Sequence, residues 1–287
     1  MMILWQRFIA AGFLQFNSTK VKNIGFAAGN NLLFQKTEGY EWVALVNPDA
    51  FLEPDWLSKM LSAAIAHPEY SFFASRLVQS VSHEILDGDG DTMHVSGWAW
   101  RQGNFEPVPH DTIKPREIFS ACAAAALYRR DAFESMGGFD EDFFCYFEDV
   151  DLGFRLRLAG HRCLLVPDAV ASHVGSATTG GRHSDFAVYH GHRNMVWTYV
   201  KNMPGALFWL LLPVHIAINL VSIVWFYFHG QGMIILKAKK DALCGISRMR
   251  KKRCDVQRKR IASIGEIWKI LAKSFLPRLS QFQQRRF

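Results

Sequence analysis

Between Lys201 and Lys237 the chain carries no Lys, Arg, Asp or Glu. Within that run, ALFWLLLPVHIAINLVSIVWFYF (206–228) reaches the length a helix needs to cross a bilayer, about 20 apolar residues. So long an uncharged stretch has few homes: a bilayer, its interface, or the core of a globular domain. Trp209 lies near one end and Trp225 and Tyr227 near the other, where interfacial anchors are expected. Lys237, Lys239 and Lys240, then RMRKKR (248–253), follow directly and read as a cytoplasmic flank able to meet anionic lipid. His215, Asn219 and Ser222 recur at i, i+4 and i+7, which gives one polar stripe, and Pro213 interrupts the helical hydrogen bonding. The expectation is membrane association. A span, a re-entrant segment, an interfacial helix and a buried core helix are all open at this point.

The net charge of +7 conceals an asymmetry. Residues 230–287 hold 16 of the 33 Lys and Arg but only Asp241, Asp255 and Glu266 among the 26 acids, so this segment carries +13 and the rest −6. An acidic body with a basic tail implies that the tail meets an anionic surface. The tail lacks aromatics interleaved with its cations and any groove-reading motif, so membrane lipid is expected and nucleic acid is not. The five cysteines form no CxxC, which fits a reducing compartment. The N-terminal MMILWQRFIAAGFLQF is interrupted by Arg7 and has no small-residue cleavage site, so it is not read as a signal peptide.

Ahead of the apolar run, strand and helix patterns alternate, which predicts an α/β sheet domain. EWVALVNPDAF reads as a buried strand ending in a turn, and DWLSKMLSAAIAHP as a helix stopped at Pro68. YSFFASRLVQ is a second strand, and residues 87–110, rich in Gly, Asp and Trp, predict a long functional loop. A short helix ends at Gly137 and Gly138, DVDLGFRLRLAGH is a helix ending at Gly160, and CLLVPDAVASHVG predicts strand, turn and strand. The expected organisation is a sheet domain over 1–188, a helical region over 189–236 and a basic tail over 237–287.

Three places carry candidate chemistry. The turn Asn47-Pro48-Asp49 follows a strand end, where open α/β sheets bind ligands, and a carboxylate there can hold a hard cation. Taken alone the tripeptide more often marks an Asx-turn opening a helix. NIGFAAGNN (23–31) offers tight turning at Gly25 and Gly29 and amides at Asn30 and Asn31, and it predicts a loop leading into a helix. The densest signal is six carboxylates between Asp140 and Asp151, set among Phe139, Phe143, Phe144, Tyr146 and Phe147. Acids keep such apolar company when paired, hydrogen-bonded or metal-bound. Glu148 and Asp149 begin a helix, where a carboxylate is favoured and can act as a general base. Asp151 is expected to cap that helix or pair with Arg155. Asp87, Asp89 and Asp91 begin like a calcium loop, but Thr92 and Trp98 break the pattern at its sixth and twelfth positions.

Together, N-x-GFA-x-GNN, LVNPDAF-x-x-PDWL and RRDAFESMGGFDEDFFCYFEDVDLGFRLRLAGHRCLLVPDAVASHVG resemble the inverting family-2 glycosyltransferases of the GT-A fold. Within them the chain is similar to the rhamnosyltransferase-like branch that builds bacterial surface polysaccharides, over residues 23–178. The resemblance implies a GT-A mixed sheet flanked by helices. It also implies transfer of a sugar, with rhamnose suggested by the branch, from a dTDP- or UDP-linked donor to a lipid-linked or polysaccharide acceptor. A divalent cation, Mg2+ or Mn2+, would assist, at the cytoplasmic face of the inner membrane. Carried over by position, Asn47 and Asp49 stand at the DxD place, with Asp49 and His173 as metal ligands. Asp149 stands at the place of the catalytic base, with Glu148, Asp140 and Glu141 toward the acceptor and Gly25, Asn30 and Asn31 along the donor. Members of the family begin with a strand such as VSVVIVTYN and a later VVDNxSxD segment, neither of which is in this sequence. The expectation is therefore a domain without its first nucleotide-binding segment. The alternative function is an inactive, membrane-bound assembly partner.

Overall fold

The structure is a computed structural model describing residues 2–10, 13–21, 23–36, 39–109, 114–175 and 183–274. The end of the expected basic tail (275–287), His110 in the expected loop, and residues 176–178 at the end of the motif match lie outside the described residues. A hairpin of β1 (Met2–Ala10) and β2 (Phe13–Val21) comes first, followed by α1 (Phe26–Phe34). The main sheet then draws on β3 (Trp42–Val46), β4 (Ala50–Leu52), β5 (Phe72–Gln79), β6 (Ser82–Gly88), β9 (Arg116–Ile118), β10 (Ala125–Arg129) and β11 (Cys163–His173). Its path runs β3-β10-β5-β11-β4, with β6 on β5 and β9 on β11. Only β5 and β11 run parallel; every other pair is antiparallel, so the sheet is mixed.

Helices cover both faces, and β5 and β11 are accordingly buried at nearly every position rather than at alternate ones. Phe72, Ala74 and Leu165 point to one side, against α1, α3 (Arg130–Ser135) and α4 (Glu148–Leu158). Phe73, Leu77 and Leu164 point to the other, against Trp56, Met60 and Ala64 of α2 (Trp56–Ala66). Trp56 is fully buried and donates its indole N–H to Ser75 Oγ at 2.6 Å, so its one polar atom is satisfied.

Two segments depart from expectation. CLLVPDAVASH is one strand, not two: it pairs with β5 from Val166↔Ser75 directly to Val170↔Arg76, and Pro167, Asp168 and Ala169 form a bulge between them. Proline and aspartate mark an irregularity inside the strand rather than its end. The expected loop over 87–110 is built structure instead. β6 runs to Gly88, and β7 (Asp91–Met93) pairs with β8 (Ala99–Arg101). Asp87, Asp89 and Asp91 are all buried; Asp89 is held by Arg76 at 2.9 and 3.0 Å, and Asp87 by Arg101. Asp87 and Asp89 serve internal ion pairs, which composition alone does not separate from a solvated loop.

Among the described residues five α-helices follow: α5 (Asp185–Asn202), α6 (Gly205–Phe226), α7 (Gly232–Cys244), α8 (Ile246–Arg258) and α9 (Ile264–Ile270). Leu207 and Leu211 of α6 share one core with Met93, Phe119 and Phe154 of the sheet domain. The boundary expected at 188/189 falls inside α5. The basic segment is folded too, and part of its charge meets acids of this same chain. Lys252 reaches Asp140 at 2.5 Å and Asp142 at 2.7 Å, and Arg248 reaches Asp142 at 3.0 Å.

Candidate active site

Sheet register brings the first pair together. Ala50 of β4 lies opposite His173 of β11, and the Val174 amide donates to the Asp49 carbonyl at 3.0 Å. That leaves Asp49 Oδ1 3.4 Å from His173 Nε2. The other imidazole nitrogen, Nδ1, lies 2.7 Å from Asp87 Oδ2. The His173 side chain is buried, while Asp49 is 22% exposed and is the member a ligand can reach. The hydrogen bond from His173 holds the Asp49 carboxyl below its usual value. Burial opposes protonation of His173, but its bonds to Asp49 and Asp87 outweigh that and raise its pKa.

This pair fits a divalent cation. It offers one carboxylate oxygen and one imidazole nitrogen on a common side, a donor set suited to first-row ions. Asp87 fixes the imidazole by its far nitrogen, the usual support for a ligating histidine. Asn47 adds a side-chain oxygen, Oδ1, buried and without a hydrogen-bond partner among the described residues.

The second group is at the start of α4. Phe143 to Phe147 form a strained lead-in: Phe144, Tyr146 and Phe147 all have φ between 65° and 68°, a region that costs a bulky residue about 1–3 kcal/mol. Asn194 of α5 holds it, donating from Nδ2 to the carbonyls of Phe143, Cys145 and Tyr146 at 2.7–2.9 Å. Arg193 adds bonds to the Asp142 and Phe143 carbonyls. The first helical turn then presents Glu148 and Asp149. Asp149 accepts from the Val150 amide at 2.8 Å and from the Ala123 amide at 3.3 Å. Its carbonyl receives the Ser120 hydroxyl, which a side chain on Gly153 would displace. Glu148 is buried, and its Oε2 has no partner among the described residues. Burial first, and the Asp149 charge second, push its pKa well up, so it is held as the neutral acid.

Asp91 and Arg101 lie between the two groups. Ligand atoms of Asp91, Cys122 and Asp149 fall within 4.8 Å of one another. Arg101, opposite Asp91 in the β7–β8 register, contacts Asp87 and lies 3.5 Å from His173 Nδ1. Burial works against its charge, but Cys122, Asp87, Asp91 and Asp149 favour it. The guanidinium thus supplies the positive charge of the Asp91–Cys122–Asp149 array, to which no metal is assigned.

The remaining candidates sit one step back. Asn30 and Asn31 are inside α1, not in a loop before it. Asn30 Nδ2 bonds the Phe26 carbonyl at 2.8 Å. Asn31 grips the backbone of Phe139 through both its amide atoms and donates to Glu141 at 3.1 Å. Gly25 has φ +87°, and a Cβ there would sit 2.7 Å from the Phe144 carbonyl oxygen. These residues thus brace the acidic loop. Asp140 is engaged by Lys201 and Lys252, each at 2.5 Å; burial alone would raise its pKa, but the two ammonium groups hold it far below the usual carboxylate range. Asp151 pairs with Arg155 at 2.8 Å, as expected.

Residues 15–203 match the model of the glycosyltransferase like family 2, well over half of the chain. The chain belongs to this family. The fold expected for family 2, a GT-A mixed sheet flanked by helices, is the architecture observed. Among its relatives, N-acetylglucosaminyl-diphospho-decaprenol L-rhamnosyltransferase of Mycobacterium tuberculosis (strain ATCC 25618 / H37Rv) is 33% identical over 159 residues, 49% of this chain and 49% of that protein. Rhamnosyltransferase WbbL of Escherichia coli (strain K12) is 38% identical over 160 residues, 52% of this chain and 60% of that protein. The chain therefore spans about half the length of these family-2 relatives. The crystal structure of GalNAc-T7 with UDP, GalNAc and Mn2+ is similar at a TM-score of 0.49, with 12% identity over 63% of this chain and 35% of that one. Motif reading of the family-2 sequence reached Asp49, His173, Glu148 and Asp149 but not Asp87, Asp91, Arg101 or Asn194. Asp87 and Asp91 were visible only as part of a failed calcium loop. Their spacing of four, followed by Arg101 across a short hairpin, was the signal available.

Proposed function

We propose that this family-2 chain transfers a sugar, rhamnose in our reading, from a dTDP- or UDP-linked donor to a lipid-linked or polysaccharide acceptor in bacterial cell-surface glycan synthesis, with inversion. Support comes from the family, from the two rhamnosyltransferase relatives, and above all from Asp149. It is a partly exposed carboxylate at a helix start, anchored by two backbone amides and free of any lysine or arginine hydrogen bond among those described. Such a group can take a proton. The acceptor oxygen attacks the anomeric carbon from the face opposite the diphosphate, and its proton passes to Asp149. The bond from that carbon to the diphosphate oxygen breaks, and its electron pair leaves with the nucleoside diphosphate. Glu148, held neutral, can donate a hydrogen bond to the acceptor and orient it.

Asp49 and His173 would hold a divalent cation, Mg2+ or Mn2+, positioned by Asp87. Such a cation, when bound, neutralises charge on the departing diphosphate. Among the described residues one helix is long and apolar enough to cross a membrane, which supports work at a membrane on lipid-linked material. The cytoplasmic face of the inner membrane is the side this reading assigns.

The test is release of nucleoside diphosphate from dTDP-rhamnose and a panel of UDP-sugars by the full chain, with Mg2+ or Mn2+ and a lipid extract as acceptor. Asp149→Asn is expected to lower turnover by about 10²–10⁴-fold. Unchanged turnover in that variant removes Asp149 as the base. Absence of both turnover and donor binding by calorimetry would favour the inactive membrane-bound partner instead.

A further inference from the structure

We infer that α6 and α7 form an in-plane docking face for an anionic bilayer, and that α6 does not cross it. The inference rests on the membrane association proposed above and makes it specific. α6 has 22 residues, about 33 Å of helix, which is why it passes for a span on length. Its burial is incompatible with one. Leu207, Leu211, His215, Ser222 and Phe226 are all buried, a stripe running from the first turn to the last. That stripe is attached to the sheet domain and α5 throughout. Leu207 and Leu211 enter the core with Met93 and Phe119, and the His215 ring stacks on Tyr199 with 3.9 Å between centroids. His215 Nδ1 lies 2.7 Å from the Ser96 carbonyl oxygen, and Phe226 packs on Val188 and Ile235. A transverse α6 would carry α5, with Arg193 and Lys201, and the β7–β8 hairpin, with Asp91 and Arg101, into hydrocarbon. Each charge at the bilayer centre costs several kcal/mol.

The opposite face of α6 is bare. Trp209, Leu210, Leu220, Val221 and Trp225 are between 50% and 72% exposed. Helical spacing places Trp209, Leu210, Leu220 and Val221 on one side, turned away from the buried stripe, with Trp225 at the margin between the two. Phe228, 79% exposed at the kink around His229 and Gly230, carries the apolar surface to α7. There Met233, Leu236 and Leu243 are exposed beside Lys237 and Lys240. α8 directs Arg248 and Lys252 to Asp140 and Asp142. On α7, Lys240 and Lys237, the latter 5.4 Å from the centroid of the Tyr189 ring, are exposed next to these apolar side chains. An apolar stripe rimmed by lysine is the surface of an interfacial helix, and its charge selects anionic headgroups.

The probe is the full chain reconstituted from detergent with vesicles of phosphatidylcholine, with and without phosphatidylglycerol. Single cysteines are placed at 210, 221 and 228 (exposed face) and at 211 (buried stripe). The background carries Cys244→Ser and Cys254→Ser, with the parent's residual label subtracted. An environment-sensitive label is then read against lipids carrying quenchers at different depths. The expected result is one shallow depth for 210, 221 and 228 and no quenching at 211. Lys237→Gln with Lys240→Gln is expected to weaken binding to anionic vesicles by about 10–30-fold and leave neutral vesicles unaffected. A depth gradient with 221 deepest, or quenching at 211, overturns in-plane docking while keeping membrane association. No binding to either vesicle overturns both. Labels already buried before lipid is added, with a dimer by light scattering, would assign the face to a second copy and overturn the inference.

Discussion

Asp91 shows how much of this site turns on one proton. Its Oδ2 is buried without a hydrogen-bond partner among the described residues, and burial, then the Asp149 charge, raise its pKa well above the usual 3.8. A carboxyl raised in this way contributes its full stability below about pH 3.8 and loses it as pH rises through the folded-state value. Asp91→Asn, which keeps the shape and never ionises, is therefore expected to raise the melting temperature at pH 8. At pH 4 it should change little. A variant equally or less stable than the parent at both pH values would show that Asp91 is charged and supported by Arg101. Asp87 acts differently, through the imidazole it orients: Asp87→Ala is expected to raise the Mn2+ or Mg2+ concentration for half-maximal turnover by about 10–100-fold. An unchanged metal requirement would separate His173 from the cation. At this scale the sequence was legible where candidate residues sit in short motifs, as at Asp49, Glu148 and Asp149. It was not legible where partners are distant in the chain. Asp87 meets His173 across 86 positions, and no local pattern carries that pairing.

Elements were legible where one periodicity ruled and illegible where burial imposed two. β5 and α4 read directly from their apolar and helical spacing, whereas β11 read as two strands because Pro167 and Asp168 resemble a turn. Residues 87–110 read as a loop because buried ion pairs and solvated acids have the same composition. The most consequential contact between elements is that of α5 with the lead-in to α4. Asn194 is fully buried, and the two N–H groups of its side-chain amide are shared among three carbonyls of a segment with three aromatic residues at positive φ. Asn194→Ala leaves those carbonyls without that donor, at about 1–3 kcal/mol for each that stays dry. Asn194→Ala is expected to lower kcat more than tenfold while the KM for donor moves little. Chemical denaturation should show a cost of a few kcal/mol. Full activity in a destabilised variant would mean that α4 positions Asp149 without help from α5.

For the molecule as a whole, the helices after the sheet domain are structural partners of the acidic loop. Lys201 is 1% exposed between Asp140 at 2.5 Å and Asp151 at 2.8 Å, and Lys252 of α8 closes on Asp140 from the other side. Removing one member of a buried ion pair typically costs about 3–5 kcal/mol. Asp140→Ala is expected to lose that much in urea denaturation at pH 7. Because Lys201 and Lys252 lower the Asp140 pKa, its contribution is present above about pH 3.8 and is lost as pH falls through the folded-state value, so the parent and variant curves should converge in acid. Retention of stability at pH 7 would show that Lys201 is satisfied by Asp151 alone. The strand bulge has a consequence for the whole architecture as well. Before it, Val166 shares a face with Ser75; after it, Val170 shares one with Arg76, the neighbouring and opposite face. Four positions along an unbroken strand return a side chain to its own face, so it is the bulge that turns Val170, and with it His173, over. The side on which His173 meets Asp49 is then set by its pairing with Gln79 and Ala50, not by a count from Val166. Deleting Pro167, Asp168 and Ala169 together would place Val170 directly after Val166 in a regular ladder, and His173 should keep its side.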